Sequence, residues 1–89
     1  MDALYEVGVY QMKKKAFGEA VTSFQQFIFN DPAESKVEEA MLAIAKCYTE
    51  QKAWDKAIDA YQSYLNKYPQ GRFADQAKAR IEWIRMYHF

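Results

Sequence analysis

The chain has 89 residues, 51% hydrophobic and 17% aromatic, with only 3 Gly and 2 Pro. That excludes a loop-rich or all-β protein and fits one small domain with enough apolar material for a packed core. Twelve basic and twelve acidic side chains cancel, so bulk charge builds no surface for nucleic acid or for insertion into an anionic membrane.

The first predicted helix runs from about Asp2, a suitable N-cap, to Lys14. The run Lys13-Lys14-Lys15 is its solvated end, where lysines oppose the negative pole of the helix dipole. The N-terminus "MDALYEVG" has no basic-then-apolar signal pattern. The second helix spans about Ala16–Asn30 and stops at "NDP", because Pro32 disfavours helix at Asp31. The third starts at Ser35, which with Glu38 forms a capping box, and ends near Gln51. Cys47 falls in its apolar pattern and reads as a buried structural thiol. As the lone cysteine it leaves no intrachain disulfide and no indication of compartment. The fourth helix covers about Ala53–Lys67, ended by Tyr68-Pro69 and Gly71, and the fifth about Phe73–His88. Connections this short make neighbouring helices pack antiparallel. No apolar run approaches the ~20 residues of a membrane span. A domain of this size has a net stability of about 4–13 kcal/mol.

The second and fourth helices carry one pattern twice. Phe17, Ala20, Phe24, Phe27 and Pro32 match Trp54, Ala57, Tyr61, Tyr64 and Pro69, each pair 37 residues apart. The helices before them match too: Leu4, Gly8 and Gln11 pair with Met41, Ala45 and Tyr48. Small residues at Gly8/Ala45 and Ala20/Ala57 let the two helices of a hairpin approach, and the large residues beside them fill the remaining space. This pattern resembles the tetratricopeptide repeat, which has a large residue, Leu-Gly, Tyr, then Ala, Phe and Pro. The chain departs from it where Leu4 and Met41 replace Trp and Gln11 replaces Tyr, and its unit is longer than usual. The resemblance implies an all-α fold of stacked antiparallel hairpins. Repeat 1 covers about residues 2–34, repeat 2 about 35–71, and a capping helix about 72–88. "YP" followed by a short polar stretch and the Ala-rich "ADQAKARI" is similar to repeats of bacterial envelope proteins. Two such proteins are the periplasmic coordinator of the Tol–Pal system and the helical lipoprotein of the outer-membrane β-barrel assembly machine. That likeness implies a periplasmic location; without it the chain reads as cytoplasmic.

Helix faces then assign surfaces. On the fifth helix Lys78, Glu82 and Arg85 occupy the places that elsewhere meet a partner helix, while Ala77, Ile81 and Ile84 can pack back on the fourth. It is expected to act as a solvating cap. The first helix instead presents Ala3, Val7 and Tyr10 where Ala40, Ile44 and Cys47 receive a preceding unit. Such an apolar face implies either a chain cut from a longer protein or self-association into a homo-oligomer. The first helices of hairpins line the concave side. The candidate groove therefore comprises Tyr5, Val9, Met12 and Lys13, then Leu42, Ala43, Lys46 and Thr49, and finally Arg80, Trp83, Met86 and Tyr87. Aromatic anchors, adaptable Met and basic groups suit a protein or peptide partner. Tyr5 and Val9 stand where chaperone-binding tetratricopeptide domains carry the Lys and Asn of their carboxylate clamp, so recognition of chaperone tails is not expected.

Catalysis has no assembled machinery. His88 is the only histidine, no Cys–His or Ser–His–Asp set can be built, and Glu38, Glu39, Asp55 and Asp59 read as solvated charges or helix-start charges. No zinc spacing, calcium loop or phosphate-cradling Gly loop is present, so no cofactor or metal is expected.

Overall fold

The architecture follows from where each helix is allowed to stop. A computed structural model describes residues 3–33 and 35–88; the proposed N-cap Asp2 lies outside them. Its five helices are α1 (Ala3–Lys13), α2 (Phe17–Asn30), α3 (Val37–Glu50), α4 (Trp54–Lys67) and α5 (Ala74–His88), and no strand occurs among the described residues. Each helix packs chiefly on the one before and the one after it, giving an all-α stack of helical hairpins.

The 37-residue period is visible in the backbone itself. α2 and α4 are the same length and start 37 positions apart. Both first hairpin helices end in the same six-to-one closure. The Ala16 N–H donates to the Gln11 carbonyl at 2.8 Å and the Lys15 N–H to Met12 at 2.9 Å. In the second unit Ala53 donates to Tyr48 at 2.9 Å and Lys52 to Thr49 at 3.0 Å. These are Schellman motifs, whose pivot is left-handed and usually Gly. Here the pivots are lysines, Lys15 at φ 63° and Lys52 at φ 60°. The lysine run is thus a helix end, as its composition implied, with the added feature of a strained third residue. α2 and α4 also leave in the same way, through Asp31 and Tyr68, each just before its proline.

The start of α3 differs from expectation. Its N-cap is Lys36, without a side-chain capping bond, so Ser35 stands outside the helix. The Glu38 carboxylate is engaged by Tyr64 and Arg72.

Two apolar clusters share α3. Ala20, Phe24, Phe27, Val37, Ala40 and Cys47 fill the first, and Ala45, Ala57, Tyr61, Tyr64, Ile81 and Ile84 the second. Each fully buried large side chain here contributes about 1.5–3 kcal/mol relative to exposure. Gly8 is needed by space, because a Cβ there would lie 2.8 Å from the Phe24 ring. Gln11, which departs from the repeat pattern, accepts a 2.6 Å hydrogen bond from the Ser23 hydroxyl. The equivalent pair in the second unit is Tyr48 and Ala60, so a polar pair has replaced a large-plus-small one. On α5, Ala77, Ile81 and Ile84 are buried while Lys78, Glu82 and Arg85 are exposed.

Candidate functional site: the concave clefts

Residues of α1, α3 and α5 line two adjoining clefts that share Met12 and Lys46. The first, about 250 Å³, is apolar: Tyr5, Val9, Phe24, Leu42, Ala43 and Phe73 line it, with Glu39 at its edge. The second, about 470 Å³, lies at the C-terminal ends of α1 and α3. Lys13, Lys15, Lys46 and Arg80 supply four cations there against the single carboxylate of Glu50, over a base that includes Phe17 and Tyr61. Of the expected groove residues, Tyr5, Val9, Met12, Lys13, Leu42, Ala43, Lys46, Thr49 and Arg80 are brought together. Lys15, Phe17, Phe24, Glu39, Glu50, Tyr61 and Phe73 also line the clefts and are not among the expected groove residues. Lys15 reaches the cleft because the left-handed turn places it beyond the helix, and Phe17 because it opens the return helix; the lysine run and the repeat pairing of Phe17 with Trp54 were the available signals.

Trp83, Met86 and Tyr87 line neither cleft. α5 returns antiparallel along α4, so its last turns lie beside the start of α4. There Trp54 stacks on His88 at 3.7 Å, and Trp83 meets Trp54 edge-on at 6.2 Å and His88 at 4.9 Å. Tyr87 sits 6.0 Å from Trp83, and Met86 is exposed. These residues form a separate aromatic edge. Tyr5 has a structural share as well: its ring packs on Phe24 and Phe27 at 5.6 and 5.7 Å, and its hydroxyl donates to Glu39 at 3.1 Å.

A polar network fixes the apolar end of the groove. The Tyr64 hydroxyl donates to the Glu38 carboxylate at 2.6 Å and accepts the Phe73 N–H at 3.0 Å. The Arg72 N–H also donates to Glu38, at 2.9 Å, while the Arg72 guanidinium pairs with Glu39 at 3.0 Å. Glu38 and Glu39, expected to be solvated or helix-start charges, therefore tie α3 to α1, α4 and the α4–α5 turn. A Cβ at Gly71 would collide with this network at Glu38 and Tyr64. The hydrogen bond from Arg72 holds the Glu39 carboxyl below the usual carboxylate range, partly opposed by desolvation and helped by Tyr5 and Lys36. Burial pushes the Tyr64 phenol up to about 12, with the bond to Glu38 adding to the shift. Burial, reinforced by the Glu50 charge, pushes the Cys47 thiol up to about 11, so it is an inert core thiol.

A hollow of about 370 Å³ lies between α2 and α4, lined by Ile28, Met41 and Tyr48, and its charges, Lys56 and Asp59, cancel. On α1, Val7 is 44% and Tyr10 60% exposed, whereas their repeat equivalents Ile44 and Cys47 are buried.

Residues 39–71 match the tetratricopeptide repeat. The match covers a little over a third of the chain, from early α3 to Gly71. The comparisons with curated proteins and with solved structures returned no match. Tetratricopeptide repeats generally mediate protein–protein interaction and are typically non-catalytic. Among the described residues no group of three His, Cys, Asp or Glu could hold a metal, and no helix is long and apolar enough to cross a membrane.

Proposed function

We propose that this chain is a non-catalytic protein-interaction module that holds a partner's peptide segment in the concave clefts between α1, α3 and α5. The observation that carries this reading is the continuity of the two clefts through Met12 and Lys46, which joins an apolar half to a basic half. Anchoring area and charge then lie in one groove, as peptide recognition requires. The test is selection of binders from a displayed random-peptide library. The reading expects selected peptides to lose binding on Met12→Glu and to keep it on Ile28→Glu, which alters the hollow between α2 and α4. Binders that ignore Met12 and depend on Ile28 would refute it.

The "YP" and "ADQAKARI" segments support an adaptor of the bacterial envelope. Fractionation of the native protein into the cytosol would count against that. The exposed Val7 and Tyr10 support a second reading, in which α1 pairs with another copy. A chain that sediments as a monomer at high concentration, with no change on Val7→Glu, would exclude it.

A further inference from the structure

We propose that the segment held in the concave groove is acidic: an extended peptide with an apolar anchor followed, about four residues away, by a cluster of carboxylates. This inference rests on the groove reading and adds the chemistry of its occupant. The argument is charge complementarity on a molecule whose total charge is zero. Lys13, Lys15, Lys46 and Arg80 gather at one cleft with only Glu50 to oppose them. None of the four forms an ion pair with a carboxylate among the described residues; the Arg72–Glu39 pair lies elsewhere. Nor are these cations needed to cap α1 and α3. In the Schellman motifs backbone N–H groups already satisfy the Gln11 and Met12 carbonyls of α1 and the Tyr48 and Thr49 carbonyls of α3. Moreover, Lys15 stands in a left-handed conformation that disfavours side chains. A glycine would fit that pivot better; the same pivot in the second unit is also a lysine, Lys52, so the cleft rather than the turn singles out Lys15.

The spacing follows from the helix. Tyr5 marks the apolar cleft and Lys13 the basic one. Eight residues of helix at ~1.5 Å each separate them by roughly 12 Å. An extended peptide covers that in about four residues at ~3.3 Å each. Nucleic acid is the other polyanion to consider. The apolar floor of Met12, Phe17 and Tyr61 and the apolar neighbouring cleft favour a peptide.

The experiment uses synthetic peptides of about eight residues, each with one leucine and three glutamates about four positions away. The order is run in both directions, and each peptide is compared with its glutamine counterpart by fluorescence anisotropy. The acidic form is expected to bind at least about tenfold more tightly, and to lose that advantage as salt rises from about 0.1 M to about 1 M. Lys15→Gly and Lys52→Gly separate binding from folding. Both relieve a left-handed lysine, so both are expected to raise Tm by a few degrees. Only Lys15→Gly should weaken the acidic peptide, by about 1.5- to 5-fold, since Lys52 is outside the cleft. Failure of the acidic peptides to bind would overturn the inference. Equal binding of acidic and glutamine forms, both lost on Met12→Glu, would overturn it while leaving the groove reading intact. Tighter binding of a single-stranded oligonucleotide of equal charge would overturn it in favour of nucleic acid.

Discussion

Replacing Tyr64 by Phe removes one oxygen atom from the point where the second hairpin meets the turn into α5. That hydroxyl makes a 2.6 Å bond to the Glu38 carboxylate and receives the Phe73 N–H at 3.0 Å. A hydrogen bond to a charged group contributes about 1.5–3 kcal/mol, and an unpaired buried donor costs about 1–3 kcal/mol. Phe73 is half-buried, so water can partly serve its N–H, and Glu38 keeps the Arg72 N–H. The expected loss is therefore about 2–3 kcal/mol. For a chain of this size that lowers Tm by roughly 10–20 °C. The assay is thermal unfolding followed by circular dichroism, repeated across alkaline pH. Since the phenol's ordinary value near 10 is raised to about 12 in the folded chain, the folded state holds the proton more tightly. Its contribution to stability is complete below pH 10 and lost as pH rises toward 12. The Phe variant should be less stable at neutral pH and should also show a shallower decline over that window. A Tm drop of less than about 3 °C, with an unchanged alkaline decline, would refute the network's role.

Other outcomes follow from the same contacts. Gly8→Ala forces a Cβ against a fully buried Phe24 ring. Overpacking of about 1–3 kcal/mol should outweigh the ~1 kcal/mol that Ala gains as a helix former, so denaturant titration should show a net loss. Cys47 should resist thiol reagents in the native state and react at the rate of unfolding. Its raised value also removes stability between about pH 9 and 11. The depressed Glu39 carboxyl works in the opposite direction. Its contribution is present above its ordinary value near 4.5 and lost as pH falls through the lower folded value, and Arg72→Met should flatten that acid limb of an unfolding curve.

Much of the fold could be read from spacing, because core positions in a repeat are set by volume and period. Ala20 and Ala57 are fully buried, and α5 divides into a buried apolar face and an exposed charged one, as their places in the pattern require. What the pattern could not express was the use of polar atoms. Phe27 and Tyr64 are equivalent as rings, so periodicity does not register that the extra hydroxyl organises Glu38 and the α4–α5 turn. Ser35 and Glu38 have capping-box spacing, yet the tertiary bonds to Tyr64 and Arg72 engage Glu38 and α3 starts at Val37. The groove was half legible. Helix faces grouped Met12, Lys13 and Lys46, which line one cleft, but helical spacing alone could not tell that Trp83 would turn to Trp54 and His88. Lys15 was hidden for a local reason: residue type gives little warning of a left-handed lysine.

The claim on which the account rests is that α1, α3 and α5 form a groove for an acidic segment. Its most direct measurement is an amide chemical-shift titration of the chain with the acidic peptide. The account predicts saturable shifts concentrated at Met12, Lys13, Lys15, Lys46, Thr49 and Arg80. Shifts concentrated instead at Val7 and Tyr10, or at Ile28 and Tyr48, would contradict it.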